Sequence, residues 1–198
     1  LNKKNRVLQL EQTVAKQQAQ YTAILVGLLA ALLALILFWA YRTKRIQMTF
    51  RRLAETDALT GISNRDHFTK RAETALVEVG KKNEQLGLVM FDLDNFKSIN
   101  DRYGHSTGDW VLRKVIEVCR PLCRKNDGIG RLGGEEFALL LNPCDRENGL
   151  QIAERCRESI AAIDTSESGH SFHITASFGV TTTQISGFAF DTLLSQAD

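Results

Sequence analysis

RLGGEEFALLL, Arg131 to Leu141, sets two glycines before two acids and then an unbroken apolar run. A Gly-Gly pair between short extended runs is a strong hairpin signal, since glycine allows a tight turn. The stretch therefore predicts two short strands around Gly133-Gly134, the second spanning Glu136 to Leu141. Upstream, LGLVMFDL, Leu86 to Leu93, is apolar on both alternating faces and reads as a buried strand. Downstream, FHITASFGVTT, Phe172 to Thr182, is β-rich.

Helical spacing fills the intervals, over about Asp66 to Lys81, Thr107 to Cys123 and Asn148 to Ile163, with a further helical pattern opening in FAFDTLLSQAD. A turn is expected at Thr60 to Asn64, and the polar stretch after Leu93 is read as a loop. The order is helix, strand, helix, hairpin, helix, strand, helix. It predicts an α/β fold: a mixed central sheet flanked by helices, with an antiparallel hairpin inside it.

Before this domain, YTAILVGLLAALLALILFWAY, Tyr21 to Tyr41, carries no charge and has aromatic residues near both boundaries. About 20 residues at ~1.5 Å each match a hydrocarbon layer of ~30 Å, so the stretch predicts one transmembrane helix. Lys and Arg crowd the far side, at Arg42, Lys44, Arg45, Arg51 and Arg52, and favour a cytoplasmic C-terminal side. Residues 1–20 then read as an extracytoplasmic helical segment with an apolar stripe at Val7, Leu8, Leu10 and Val14. Residues 42–56 read as a signalling helix whose Ile46, Phe50 and Leu53 suit pairing with a second chain, or as a solvated linker. The α/β domain is expected over 57–198, with both ends of the chain cut from a longer protein.

The chain has 198 residues and a net charge of +2, too small for the basic face of a nucleic-acid binder. Its four cysteines, Cys119, Cys123, Cys144 and Cys156, form no CxxC pair and are too sparse for a disulfide scaffold. They read as reduced thiols packed in a core. His67, His170 and His173 read as surface or packing residues.

The chemistry gathers at two places. Asp92 and Asp94 close a buried strand where the chain turns to solvent, and Glu135 and Glu136 follow the hairpin tip. Adjacent carboxylates repel unless a cation or proton intervenes, and hard oxygen ligands on a strand end suit Mg²⁺ that keeps sites for water and phosphate. The stretch from Phe91 to Trp110 offers Lys97, Asn100, His105 and Asp109. Asn100 and Asp109 present the donors and acceptors that a guanine edge would need, and Lys97 a charge for phosphate. Asn100 and Gly104 could equally shape the turn, and Asp109 could cap the following helix.

Three stretches, DALTGISNRDHF (Asp57 to Phe68), FDLDNFKSINDRYGHSTGDWVL (Phe91 to Leu112) and RKNDGIGRLGGEEFALLL (Arg124 to Leu141), resemble the GGDEF family, the diguanylate cyclases. The resemblance implies a palm-like nucleotidyl cyclase fold and condensation of two GTP into cyclic di-GMP with release of two pyrophosphates. It implies Mg²⁺, or Mn²⁺, held by Asp92, the Leu93 carbonyl and Glu135, with Glu135 also the base and Glu136 in support. It makes Asn100 and Asp109 guanine readers, with His105 and Lys97 nearby. Arg124 and Asp127 resemble the family's RxxD product-inhibition site. A homodimer of half-sites at the bacterial inner membrane, controlled by an upstream sensor, completes the expectation; a silent receptor for GTP or cyclic di-GMP is the alternative. Ala58 and Ser63 stand where the family often has proline, and GGEEF replaces GGDEF. The family's phosphate-holding Lys and Arg are expected beyond Asp198.

Overall fold

The computed structural model describes residues 2–197, and side chains within it except those of residues 2–9, 11, 12 and 46–54. The chain forms two compact units, Leu1–Arg51 and Arg52–Asp198. Helix α1 runs Asn2–Glu55 without a break. Its stretch Thr13–Arg45 is long and apolar enough to cross a membrane by length and composition, and contains the predicted span. Leu25, Leu29, Leu33 and Phe38 there are all exposed. The stripe positions Val7 and Leu8 and the pairing positions Ile46, Phe50 and Leu53 lie outside the described side chains.

The second unit begins in the last turn of α1. Asp57 accepts from the Thr60 amide at 2.9 Å and hydroxyl at 2.6 Å, closing the predicted entry turn. Helix α2 (Arg65–Lys82) starts on Asn64, whose side chain accepts from the His67 amide at 3.0 Å. It stops at Asn83, which takes the left-handed conformation with φ 54°. Strand β1 (Gly87–Leu93) follows, then α3 (Phe96–Tyr103) and α4 (His105–Cys119). The hairpin is β2 (Gly128–Arg131) and β3 (Glu136–Leu141). Helix α5 (Arg146–Ala161), capped by Asp145, leads to β4 (Ala176–Thr182), α6 (Thr183–Ser186) and α7 (Phe190–Ala197).

The sheet order is β2-β3-β1-β4, and every neighbouring pair of strands is antiparallel. Among the described residues, the parallel element of the expected mixed sheet is the isolated bridge between Ser63 and Gly130. The helical crossovers do join strands of like direction, β1 to β2 and β3 to β4. In each case a third strand lies between the two, so crossover partners never become neighbours. The stretch read as a loop after Leu93 also differs: it holds α3, and α4 begins at His105 rather than Thr107.

Alternation sends the two rows of side chains to opposite layers. Val89, Phe91 and Leu93 of β1, with Phe137, Leu139 and Leu141 of β3, bury against α3, α4 and α5. Phe91 stacks on Phe137 at 5.1 Å and on Phe178 at 4.8 Å, an aromatic row across three strands. Leu88, Ala138 and Leu140 face α2 and α7, with Phe68, Leu76 and Leu193. Cys119, Cys144 and Cys156 are buried free thiols, as expected. Burial pushes the Cys123 thiol up to about 12 and the Cys144 thiol up to about 11, which keeps both protonated at neutral pH.

Candidate active site

The row of β1 that faces α2 and α7 runs Leu88, Met90, Asp92, and the facing row of β3 runs Leu140, Ala138, Glu136. Asp92 and Glu136 are register partners. Their row is buried at Leu88 and Leu140, and ends in two exposed acids. Here an open cleft of about 240 Å³ lies against Met90, Asp92, Glu136, Ser177 and Ala197. Met90 and Glu136 also border a second hollow, shared with Arg65, Asp191 and Leu194. The same alternation that builds the core therefore delivers a carboxylate pair to solvent.

Glu135 precedes Glu136 in the turn and is half-buried, outside the residues lining the cleft. The turn itself is held by Arg131. Its Nε donates to the Gly133 and Gly134 carbonyls at 3.2 and 3.1 Å, and its Nη2 to Gly134 at 2.7 Å. Its Nη1 stands 3.1 Å from Asp57 Oδ1 and 3.2 Å from Oδ2. Partial burial pushes the Asp57 carboxyl up, but the Thr60 hydroxyl and amide and the Arg131 guanidinium outweigh it and hold the group below the usual carboxylate value. Sequence reading missed this tie, although both residues lie in quoted motifs; charge and spacing alone do not pair positions so far apart.

Asn100 and Asp109 lie on α3 and α4, which meet at an elbow on Gly104, with φ 84°. The Asn100 side chain occupies the space that a Cβ at Gly108 would fill. Asn100 is thereby brought against the residue next to Asp109. Asp109 stands inside α4, so the capping alternative fails: the residue at the cap is Gly104. Gly104 does shape the turn. Lys97, His105 and Asp109 are exposed. Tyr103 stacks on Phe172 at 4.9 Å and lies 4.8 Å from the His170 ring, which gives that histidine a packing role.

The Asp94 carboxylate accepts two hydroxyls, from Thr175 at 2.6 Å and from Ser177 at 2.7 Å. Among the described residues no three His, Cys, Asp or Glu groups stand ready as a metal cage. The donors that do converge, Asp92 and Glu136, are hard oxygens at an open end of the sheet. That set fits Mg²⁺, which keeps several waters and takes substrate phosphates as further ligands.

Arg124 is exposed at the approach to β2, and Asp127 is buried beneath it. The Asp127 carboxylate accepts from the backbone amides of Arg124 at 2.7 Å and Asn142 at 3.3 Å. Arg71 donates to the Asn126 and Asp127 carbonyls, at 2.9 Å each. Arg71, Arg120, Arg124 and Lys125 line a hollow of about 420 Å³.

Residues 54–198 match the family model described as diguanylate cyclase, GGDEF domain. The chain belongs to the GGDEF family. It is 40% identical over 131 residues to the diguanylate cyclase DgcP of Pseudomonas aeruginosa, covering 66% of this chain and 20% of that protein. It is 39% identical over 145 residues to the diguanylate cyclase VdcA of Vibrio cholerae, covering 72% of this chain and 41% of the relative. The chain thus spans well under half the length of either. A crystal structure of the coiled coil and GGDEF domain of DgcB from Caulobacter crescentus, in complex with c-di-GMP, superposes with a TM-score of 0.71 at 28% identity, over 78% of this chain and 82% of that one. The GGDEF domain of TpbB (YfiN) from Pseudomonas aeruginosa gives 0.66 at 35%, over 70% and 87%. The α/β layers and the antiparallel sheet of this chain are those of a GGDEF domain.

Proposed function

We propose that the GGDEF domain condenses two GTP into cyclic di-GMP, and that two copies of the chain each bring one GTP. The observation that carries this is the Asp92–Glu136 register pair at the open end of the sheet, beside a turn braced by Arg131. The 3′-oxygen of one GTP forms a bond to the α-phosphorus of the other, whose bond to pyrophosphate breaks; repeating the step in the other direction closes the ring.

In this reading Asp92, the Leu93 carbonyl and Glu135 would hold the metal, Glu135 reaching it from the turn beside the cleft, and Glu136, which lines the cleft, would support the same site. A bound Mg²⁺, or Mn²⁺, supplies neutralisation of phosphoryl charge. Glu135 accepts the 3′-hydroxyl proton. Asn100 and Asp109 read guanine from the elbow, His105 stands at its rim, and Lys97 meets phosphate. Facing half-sites supply the orientation of the two reactants. Helix α1 crosses the bacterial inner membrane once and leaves residues 57–198 in the cytoplasm, with residues 42–56 carrying the input of an upstream sensor to the pair.

Cyclic di-GMP returns to the Arg124 hollow as an inhibitor. Asp127, with both oxygens engaged by backbone, builds the turn that presents Arg124, whose guanidinium can fork onto guanine or phosphate. The deciding experiment incubates the full-length protein with GTP and Mg²⁺ and looks for cyclic di-GMP. Product formation is expected. A folded dimer that binds cyclic di-GMP and leaves GTP intact would instead make this domain a receptor.

A further inference from the structure

We infer that Asp94 is a positioning residue for this chemistry, acting through Thr175 and Ser177. The inference rests on the proposed cyclase reading for its kinetics but on geometry for its substance. Asp94 is the first residue after β1 and connects it to α3. Its carboxylate accepts the Thr175 hydroxyl on Oδ2 and the Ser177 hydroxyl on Oδ1, at 2.6 and 2.7 Å, and its amide donates to the Thr175 carbonyl at 2.9 Å. Ser177 is the register partner of Asp92 and lines the same cleft. The clamp therefore bolts the turn to β4 at the point where Asp92 and Leu93 leave the sheet.

The turn needs such a bolt. Asn95 follows in the left-handed region, φ 56° and ψ 27°, which Asn tolerates better than most non-glycine residues but still at a cost that its surroundings must offset. No side chain caps α3 behind it. Two hydroxyls on one carboxylate, on top of a backbone bond, over-determine the turn from the β4 side. The Leu93 carbonyl and the first amides of α3 then keep one position before any nucleotide arrives, which is the preorganisation that metal-held phosphate chemistry requires. Thr175, just before β4, and Ser177, within it, stand two residues apart in ITASFGV and so offer both hydroxyls to the same side.

Four variants and two readouts test this. Asp94→Ala and the double variant T175A/S177A should each lower kcat by about 10²-fold, as a misplacement of the reacting groups does, with KM for GTP changed by less than about threefold. Asp94→Asn can accept one hydroxyl and donate to the other, so it should restore most of the lost kcat without a change in the Mg²⁺ requirement. Thr175→Ala alone should fall between. Without nucleotide, hydrogen exchange at residues 94–97 should quicken by about 10-fold in Asp94→Ala and T175A/S177A and stay near the parent rate in Asp94→Asn. Unchanged exchange in Asp94→Ala overturns the clamp. So does an Asp94→Asn as damaged as Asp94→Ala with a raised Mg²⁺ requirement, since that is the behaviour of a ligand. A parent protein that makes no cyclic di-GMP sinks the proposed function, and the exchange experiment still decides the clamp.

Discussion

Arg131 has one guanidinium in two jobs: it closes the Gly133-Gly134 turn on itself and ties it to Asp57. Replacing Asp57 by Ala leaves the guanidinium half-paired, and about 1–3 kcal/mol of stability should be lost in urea unfolding, the usual range for hydrogen bonds to charged groups. The pH dependence has a fixed sign. Because the folded Asp57 carboxyl lies below its ordinary value of 3.8, its contribution is complete at neutral pH and disappears as pH falls through that depressed value. Stability of the parent should therefore fall more steeply below about pH 4 than that of Asp57→Asn. At the proposed chemistry, Glu135→Ala should cut turnover by at least ~10²-fold; unchanged synthesis of cyclic di-GMP would remove Glu135 from the mechanism. The acids were legible one by one, since hairpin and strand-end signals place them. Their partners were not. That Asp94 binds hydroxyls from β4 depends on a pairing 81 residues distant, which no local pattern encodes.

At the scale of elements, β1, β3 and the long helices could be read from apolar period and caps, whereas α3 could not. Its eight residues, FKSINDRY, are mostly polar and follow a left-handed Asn without a capping side chain. They look like a loop because what holds them helical is tertiary: Phe96 and Ile99 are buried against α4 and the sheet. The expected mixed sheet erred for a related reason, since the sequence shows crossovers but not the strand that slots between the strands they join. The seam between α2 and β2 gives a check on packing. A Cβ at Gly130 would stand 2.5 to 2.7 Å from three atoms of Phe68, a ring with no exposure. Gly130→Ala should cost about 1–3 kcal/mol, read as a lower urea midpoint. Gly108→Ala acts on the elbow instead, displacing Asn100, and should raise KM for GTP by about tenfold with a smaller change in melting temperature.

Whole-molecule behaviour follows from the half-site. In the proposed reading each protomer brings one GTP, so specific activity should rise with protein concentration until the pair is saturated, and a flat response would sink the two-copy reading. The proposed feedback site is separable from the proposed catalytic one, because Arg124 lines a hollow at the approach to β2 rather than the cleft. Arg124→Ala should keep synthesis while inhibition by added cyclic di-GMP weakens by about 10-fold or more, the effect of losing a forked contact worth about 1–3 kcal/mol. Inhibition left intact would remove the hollow from feedback.

The central place of β1 has a consequence in time. The strand that carries Asp92 is made early, yet Glu136 reaches it only with β3 and the hydroxyls of Thr175 and Ser177 only with β4. Contacts this distant along the chain form only once long loops have closed. During synthesis, a nascent chain that has folded α2 and the hairpin still has an unsecured acidic end, with Asp94 unclamped. The cleft therefore cannot form until β4 has been made and paired with β1, because Ser177 is part of its wall.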